Sequence, residues 1–114
     1  MKVVRFSAIV ALQTAAAALL ALQSDEESRL LQEANAHYLA LRSEEAVTSY
    51  RKYLELYRDR ADVRVFLGAA LLNLNRPEEA LEEARRALSL DRRYARAFVL
   101  IGRIHASKEE WSHA

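Results

Sequence analysis

A spacing of 34 residues is the feature that most constrains the fold of this chain. Small residues recur at that spacing, once as Ala34, Gly68 and Gly102 and again as Ala46, Ala80 and Ala114. A unit of this length cannot bury its own apolar face, so repeated units must stack on one another. The spacing therefore predicts an array of similar units that share one core, with helices touching at the recurring small residues.

The clearest unit covers residues 61–94 and is predicted to be two helices that fold back on each other. Apolar residues recur at helical spacing over residues 62–74 and again over residues 77–90. Between these helices, Asn75 tolerates the left-handed conformation that ends a helix, and Pro77 suits the first position of the next. The sequence thus predicts an antiparallel helical pair in the middle of the chain.

The preceding unit, residues 27–60, is predicted to contain helices over residues 27–41 and 44–56. Ser43 is the expected N-cap of the second of these helices, and Asp59 is the expected cap of the helix that follows. Three tyrosines of the second helix share one face and are expected to be core residues: Tyr50, Tyr53 and Tyr57.

The third unit, residues 95–114, is predicted to be incomplete. Its first helix is expected over residues 95–108, followed by a turn at Lys108-Glu109-Glu110 and only the start of a second helix. Apolar residues of the first helix would then keep one flank open to water: Phe98, Ile101 and Ile104. We expect this edge to be covered either by a continuation in a longer protein or by another chain.

Residues 1–24 differ in composition from the rest of the chain. Lys2 and Arg5 are their only charged residues, a mostly apolar Ala-rich stretch follows, and acidic residues begin abruptly at Asp25. This is the layout of a secretory signal, and the stretch is short and only mildly apolar for a stable membrane span. We expect residues 1–24 to direct export to the periplasm or another extracytoplasmic space. The alternatives are an inner-membrane anchor and an extra packing helix.

Composition narrows the range of functions. The chain has no Cys, which excludes disulfides and thiolate chemistry, and its net charge of +1 argues against a dedicated nucleic-acid surface. His37 and His105 occupy equivalent places in different units, which predicts half-buried packing positions rather than a metal site. Four glutamates are expected to form a solvated helix face with ion pairs to Arg85 and Arg86: Glu78, Glu79, Glu82 and Glu83. We expect no catalytic residue, metal or cofactor.

Two segments carry a resemblance to a known family. Residues 98–105 have the pattern aromatic, aliphatic, small, aromatic, and residues 75–81 read Asn-Arg-Pro-Glu-Glu-Ala-Leu. With the 34-residue period, residues 27–114 resemble the tetratricopeptide repeat (TPR) family. The resemblance implies an all-α solenoid of about two and a half repeats, residues 27–60, 61–94 and 95–114, after an N-terminal apolar helix. The family usually has Gly where Leu41 stands, which predicts a different or strained turn.

The resemblance also implies a concave groove lined by the first helix of each unit. In each of the pairs Val65-Phe66 and Val99-Leu100, one residue is expected to pack between helices and the other to face outward. A groove with so many apolar members suits an apolar helix or peptide. The predicted groove residues are Leu31, Asn35, Tyr38, Leu39, Val65, Phe66, Ala69, Leu72, Asn73, Arg96, Val99 and Arg103.

Some TPR proteins clamp a C-terminal carboxylate with Lys and Asn. Asn35 fits that pattern, whereas Leu31, Val65 and Arg103 do not. The resemblance therefore implies a non-enzymatic scaffold that binds a protein partner, without a chaperone-tail clamp, and residues 1–24 lead us to expect it in the bacterial cell envelope. The alternative is a structural, capping or self-associating piece of a longer repeat protein, with self-association through the C-terminal edge. Membrane contact is expected only through the N-terminal segment.

Overall fold

The computed structural model describes the backbone of residues 2–113 and the side chains of residues 8–110. The described chain is helical, with no strand, and consecutive helices pack against each other while α3 also contacts α5. This arrangement confirms the predicted all-α solenoid. The helices are α1 (Lys2–Leu39), α2 (Ser43–Leu56), α3 (Ala61–Asn73), α4 (Pro77–Leu90) and α5 (Ala95–His113).

Helix α1 is one continuous helix that passes through the predicted domain boundary at residue 24 without a break. Residues 8–26 are exposed, and the core begins only at Leu30. Helix α1 is long and apolar enough to cross a membrane by length and composition, because the segment Ala8–Leu39 contains an 18-residue window with a mean hydropathy of 1.4. The side chains of Lys2 and Arg5 lie outside the described residues. Whether residues 1–24 act as a signal or an anchor therefore stays a prediction.

Small residues bring α3 and α4 into close contact. Ala80, Ala84 and Ala87 of α4 are fully buried. A Cβ atom added to Gly68 would lie 2.6 Å from Cδ2 of Leu100 and 3.3 Å from the carbonyl oxygen of Ala80. The predicted contact at Gly68 is confirmed.

The corresponding prediction for Gly102 is wrong. Nothing lies within 4 Å of a Cβ atom added there, and the residue is exposed. The reason is that Gly68 faces a following helix, α4, whereas no helix of the described chain packs on the equivalent side of α5. Equivalent positions of the repeat are therefore buried in the second unit and exposed in the third.

The two turns within the helical pairs have the same geometry. Leu41 has a φ of 60° and Asn75 a φ of 59°, so both adopt the left-handed conformation. In each turn the N–H of the following residue donates a hydrogen bond of 2.9 Å to a carbonyl of the preceding helix. Arg42 donates to His37, and Arg76 donates to Leu71. These bonds satisfy carbonyls at the helix end. The helix-ending role of Asn75 is confirmed, and Leu41 adopts a conformation that a leucine disfavours.

Both predicted side-chain caps are wrong. Helix α2 begins at Ser43 and is preceded by Arg42, with no side-chain hydrogen bond at its cap. Helix α3 begins at Ala61 after Arg60, again without a side-chain cap. The left-handed turn ends at residue 41, so the chain re-enters the helix one position too early for Ser43 to act as a cap. At α3, Asp59 lies one residue before the capping position.

The predicted turn at Lys108-Glu109-Glu110 is also wrong, because α5 continues through it to His113. Lys and Glu are good helix formers, and no Gly or Pro interrupts them. The expected position of Ala114 in the 34-residue spacing concerns a residue outside the described part of the chain. Phe98 is 54% exposed as expected, whereas Ile104 is fully buried because it faces the neighbouring helices.

Candidate partner-binding cleft

A cleft of about 190 Å³ lies between α1, α3 and α5, the first helix of each unit. It is an open depression with more apolar than polar surface. Most of the predicted groove residues line it. The lining consists of Tyr38, Val65, Phe66, Ala69, Arg96, Val99, Leu100 and Arg103.

Aromatic rings hold one wall of the cleft in place. The rings of Tyr38 and Phe66 meet edge to face, with centroids 5.8 Å apart. Phe66 also stacks on the buried ring of Tyr50 at 6.2 Å, and Tyr38 contacts Tyr50 at 6.5 Å. Such ring pairs are worth about 0.5–1.5 kcal/mol beyond their buried area. The cleft wall is therefore an extension of the core contact between α1, α2 and α3.

A hydrogen bond fixes the buried member of this cluster. The Tyr50 hydroxyl donates to Oδ1 of Asn35 over 2.6 Å. Burial raises the pKa of Tyr50 to about 12, and the nearby Tyr38 adds to the increase. Asn35 was predicted to face a partner. Its carbonyl oxygen is instead occupied by a residue of the same chain.

Helix α5 supplies the opposite wall. Leu100 is buried at its floor, whereas Val99 is 64% exposed at the rim. The prediction that one member of this pair packs inward and the other faces outward is confirmed. Arg96 and Arg103 are exposed and lie on the same side of the helix, and their side chains form no hydrogen bond or ion pair within the described chain. Among the described residues that line the cleft, they are the only charged ones.

Four other predicted groove residues are not brought to the cleft. Leu31 and Leu72 are partly buried and pack against the core. Leu39 is 79% exposed at the end of α1, and Asn73 is exposed at the end of α3. The repeat register placed these residues on the correct helices, but it did not show which of them reach the cleft.

A polar cluster ties the start of the first unit to the connection before α3. The Tyr53 hydroxyl donates to Glu27 over 2.6 Å, and Arg60 donates to Glu27 over 3.0 Å. Arg60 also holds Asp62 through two hydrogen bonds of 3.0–3.1 Å, which lower the pKa of that carboxyl. Burial, followed by the hydrogen bond to Glu27, raises the pKa of Tyr53. One guanidinium, that of Arg60, is therefore shared between a carboxylate of α1 and a carboxylate of α3.

One glutamate of the predicted solvated face is buried. Glu83 is 8% exposed and accepts hydrogen bonds from Arg64 at 3.0 Å and from Arg86 at 2.9 Å. The prediction is wrong for this residue because Arg64 reaches it from α3. A sequence signal existed, since an Arg at a core position of α3 requires an acidic partner. Glu82 is exposed and paired with Arg86, as predicted.

The two histidines His37 and His105 differ in their exposure to solvent. His37 is partly buried, whereas His105 is exposed, so the prediction of a half-buried position fails for His105. The described part of the chain contains no group of three or more His, Asp or Glu residues arranged to hold a metal ion.

Comparison with known proteins identifies the fold. Residues 61–94 match the tetratricopeptide repeat family model. Three solved structures are similar over about three quarters of the chain. The Arabidopsis OM64 TPR domain has a TM-score of 0.70 and 19% identity, covering 77% of this chain and 73% of its own. None of the curated proteins that were compared matches the sequence.

The other two structures give the same result. The TPR2B domain of yeast Sti1, solved as a complex with pHsp70, has a TM-score of 0.69 and 18% identity, covering 76% of this chain and 70% of its own. The Sgt2 TPR domain from Aspergillus fumigatus has a TM-score of 0.69 and 22% identity, with coverages of 76% and 58%. At these identities the likeness concerns the fold.

Proposed function

We propose that this chain, whose helical pairs have the tetratricopeptide-repeat fold, is a non-enzymatic adaptor that binds a segment of a partner protein in the cleft between α1, α3 and α5. The observation that carries the proposal is the composition of that cleft. It combines an apolar floor with an exposed apolar rim residue, Val99, and two exposed arginines whose side chains have no partner among the described residues.

The chemistry of the cleft favours binding over catalysis. Its charged lining residues are Arg96 and Arg103, and a guanidinium group is a poor general acid or base. Burying an apolar side chain in such a cleft contributes about 1.5–3 kcal/mol, and polar groups at the rim orient it. The similar yeast Sti1 domain was solved with pHsp70, which supports a protein or peptide as the class of partner.

A peptide-display selection on the full chain in mild detergent tests the proposal. Selected peptides should bind the unchanged protein and lose at least about tenfold in affinity to Val99→Asp, because a charge at the rim opposes burial of an apolar group. The matched control is Phe98→Asp, which introduces the same charge one residue away on a different face. Peptides that bind Val99→Asp as well as the unchanged protein would contradict the proposal.

We further propose that the adaptor acts in a bacterial cell envelope, exported or tethered through residues 1–24. The support is the uncharged, apolar and exposed stretch of α1 and the acidic residues that begin at Asp25. The Thr14 hydroxyl donates to the Val10 and Ala11 carbonyls, so its polar group needs no external partner in an apolar surrounding.

A reporter fusion tests this location. An enzyme that is active only outside the cytoplasm, fused after Ser24, should be active, and Val10→Asp should abolish that activity because it places a charge in the apolar stretch. Thr14→Ser is the matched control and should change little. A reporter that stays in the cytoplasm without any substitution would refute the export proposal.

The second candidate function is a structural role through self-association. The supporting observation is the outer face of α5, where Phe98 is 54% exposed and Gly102 faces open space. Sedimentation velocity of the full chain in detergent across a range of concentrations distinguishes the candidates. Self-association predicts a dimer that Phe98→Asp dissociates and Val99→Asp does not. A monomer at every concentration would exclude it.

A further inference from the structure

We infer that a second cavity, on the side of the solenoid away from the cleft, binds a small organic phosphate. This cavity, which we call the arginine pocket, lies between α2, α3 and α4 and has a volume of about 450 Å³. Sites for small molecules typically have volumes of about 300–1,000 Å³. The inference goes beyond the proposed function and does not depend on it. Four arginines line the pocket: Arg51, Arg58, Arg64 and Arg86.

The arginine pocket and the cleft lie on opposite sides of α3 and share no described lining residue. Arg64 and Leu67 line the pocket, whereas Val65, Phe66 and Ala69 line the cleft. At 3.6 residues per turn, these two sets of side chains leave the helix axis in nearly opposite directions. A ligand in the pocket would therefore leave the cleft open to a partner.

Positive charge exceeds negative charge around the pocket. The four arginines face two glutamates, Glu55 and Glu83, so the described lining has a net charge of +2. A phosphate monoester carries a charge of about −1.5 to −2 at pH 7 and has three strong acceptor oxygens. The ligand charge therefore matches the surplus charge of the lining.

Two of the arginines are held in position by a buried carboxylate. Glu83 accepts a hydrogen bond of 3.0 Å from Arg64 and one of 2.9 Å from Arg86, each at a different oxygen. Arg64 also donates to the backbone carbonyl of Arg58 over 3.3 Å, and Arg86 donates to Glu82. A guanidinium group has five N–H donors, so each arginine retains donors that these bonds do not use. The pair therefore offers a ligand donors that are already oriented.

The other two arginines are available to a ligand. The side chain of Arg58 is exposed and has no partner in the described part of the chain. Arg51 donates to Glu79 over 2.9 Å, but Arg76 donates to both oxygens of the same carboxylate over 2.8 and 3.0 Å. Glu79 therefore stays paired when Arg51 turns toward a ligand. Hydrogen bonds from Arg to phosphate are about twice as strong as neutral ones and are frequently bidentate.

The organic part of the ligand follows from the floor of the pocket. Leu54 is 6% exposed and Leu67 is 1% exposed, so the floor is apolar. Apolar atoms of a ligand gain about 25 cal/mol for each Å² that they bury there, whereas inorganic phosphate has none to bury. We therefore expect the phosphate to be attached to a small carbon skeleton.

Glu55 is the lining residue that opposes an anion. Its carboxylate is exposed and has no partner among the described residues. It lies on α2 within a turn of both Arg51 and Arg58, so it repels the same charge that they attract. Neutralising Glu55 should therefore strengthen binding, which a merely structural role of the pocket does not predict.

An NMR titration of the full, isotope-labelled chain in mild non-ionic detergent tests the inference. The probe is phenyl phosphate, and its matched control is phenyl sulfate, which has a similar shape and one negative charge fewer. Inorganic phosphate tests the contribution of the apolar floor, and a phosphoserine peptide tests phosphate carried by a protein. The protein variants are Arg51→Gln, Arg58→Gln and Glu55→Gln. Arg85→Gln is the control variant, because Arg85 is an exposed arginine of α4 that has no described partner and does not line the pocket.

Phenyl phosphate should shift the signals of residues around the pocket and leave those of the cleft in place. We expect Arg58→Gln to weaken its binding about fivefold to tenfold and Arg51→Gln about threefold, while Arg85→Gln leaves it within about twofold. Glu55→Gln should strengthen binding about twofold to fivefold, and phenyl sulfate should bind about tenfold more weakly than phenyl phosphate. Inorganic phosphate should also bind more weakly than phenyl phosphate.

Several results would overturn the inference. Equal binding of phenyl phosphate and phenyl sulfate would show that the pocket does not select a dianion. Binding that persists unchanged when Arg51→Gln and Arg58→Gln are combined would place the ligand elsewhere. A phosphoserine peptide that binds more tightly than phenyl phosphate would assign the pocket to a phosphorylated protein. The absence of any shift at about 10 mM phenyl phosphate would show that the pocket is not a binding site. None of these results bears on the cleft, whose test depends on Val99 on the other side of the solenoid.

Discussion

The two complete helical pairs of this chain are held together by different means. In the pair α1–α2, Tyr50 and Tyr53 are fully buried and their hydroxyls bind Asn35 and Glu27. One period later, Ala84 and Ala87 occupy the equivalent positions of α4 and are also fully buried. The repeat therefore determines where the helices meet but not the size or chemistry of the residues that meet there.

The difference between the pairs relates to their roles. The tyrosines of the first pair extend the core toward the cleft, since Tyr50 stacks on Phe66 and contacts Tyr38. The small residues of the second pair allow Gly68 to approach both α4 and Leu100 of α5. The first pair thus supports the wall of the proposed binding site, while the second pair positions α5, which carries the two arginines.

The largest expected effect comes from a substitution that disrupts the second pair, α3–α4. Gly68→Leu should lower the free energy of unfolding by about 3 kcal/mol, because its first added carbon already overlaps Leu100 and approaches the Ala80 carbonyl. Chemical denaturation of the full chain measures the loss. The matched control is Gly102→Leu, one period later, which faces open space and should be neutral or stabilising. Equal losses for both variants would show that the contact at Gly68 is not what holds the pair.

The next effect concerns the first pair and appears at alkaline pH. Burial raises the pKa of Tyr50 to about 12 from its usual value of 10, so the folded state favours the neutral phenol. Its contribution is complete below pH 10 and is lost as pH rises from 10 through 12. By pH 11 the loss should be about 1 kcal/mol, and Tyr50→Phe should remove that part of the pH dependence. Urea unfolding at pH 9 and pH 11 measures it. If Tyr50→Phe left the pH dependence of stability unchanged, the Tyr50 hydroxyl would not be the group whose ionisation destabilises the fold.

The sequence predicts turns and helix starts better than contacts between helices, for a physical reason. The Asn75 turn and the start of α4 at Pro77 depend on local conformational preferences, which the sequence states directly. The burial of Glu83 depends on Arg64 of another helix, and Gly102 is exposed because no helix of the described chain packs on that side of α5. Such contacts between distant segments leave little trace in a single sequence.

The sequence predicted only part of the cleft, because contacts between distant segments also shape it. The repeat register identified the correct helices and most of the lining residues, including Tyr38, Phe66 and Val99. It did not show that Asn35 is occupied by Tyr50, because that hydrogen bond requires α2 to pack on α1. The register gives the side of a helix that faces a groove, and packing decides which of its polar groups remain free.

The smallest effect compares the two turns. Leu41 and Asn75 have the same positive φ, which costs a leucine about 1–2 kcal/mol and an asparagine less. Leu41→Asn should therefore stabilise the fold by about 1 kcal/mol, since the Leu41 side chain is 82% exposed and loses few contacts. Asn75→Leu should destabilise it by a similar amount. Thermal unfolding of both variants provides the comparison, and a loss of stability in Leu41→Asn would mean that the leucine side chain contributes through contacts.

Site-specific photo-crosslinking in living cells tests the central claim, that the cleft holds a partner, most directly. A photoreactive phenylalanine analogue replaces either Val99 at the cleft rim or Phe98 on the outer face of α5, two adjacent exposed positions on different surfaces. The account predicts discrete crosslinks to another protein from position 99, which Arg96→Gln and Arg103→Gln together should reduce. Crosslinks only from position 98, or only to a second copy of this chain, would contradict it.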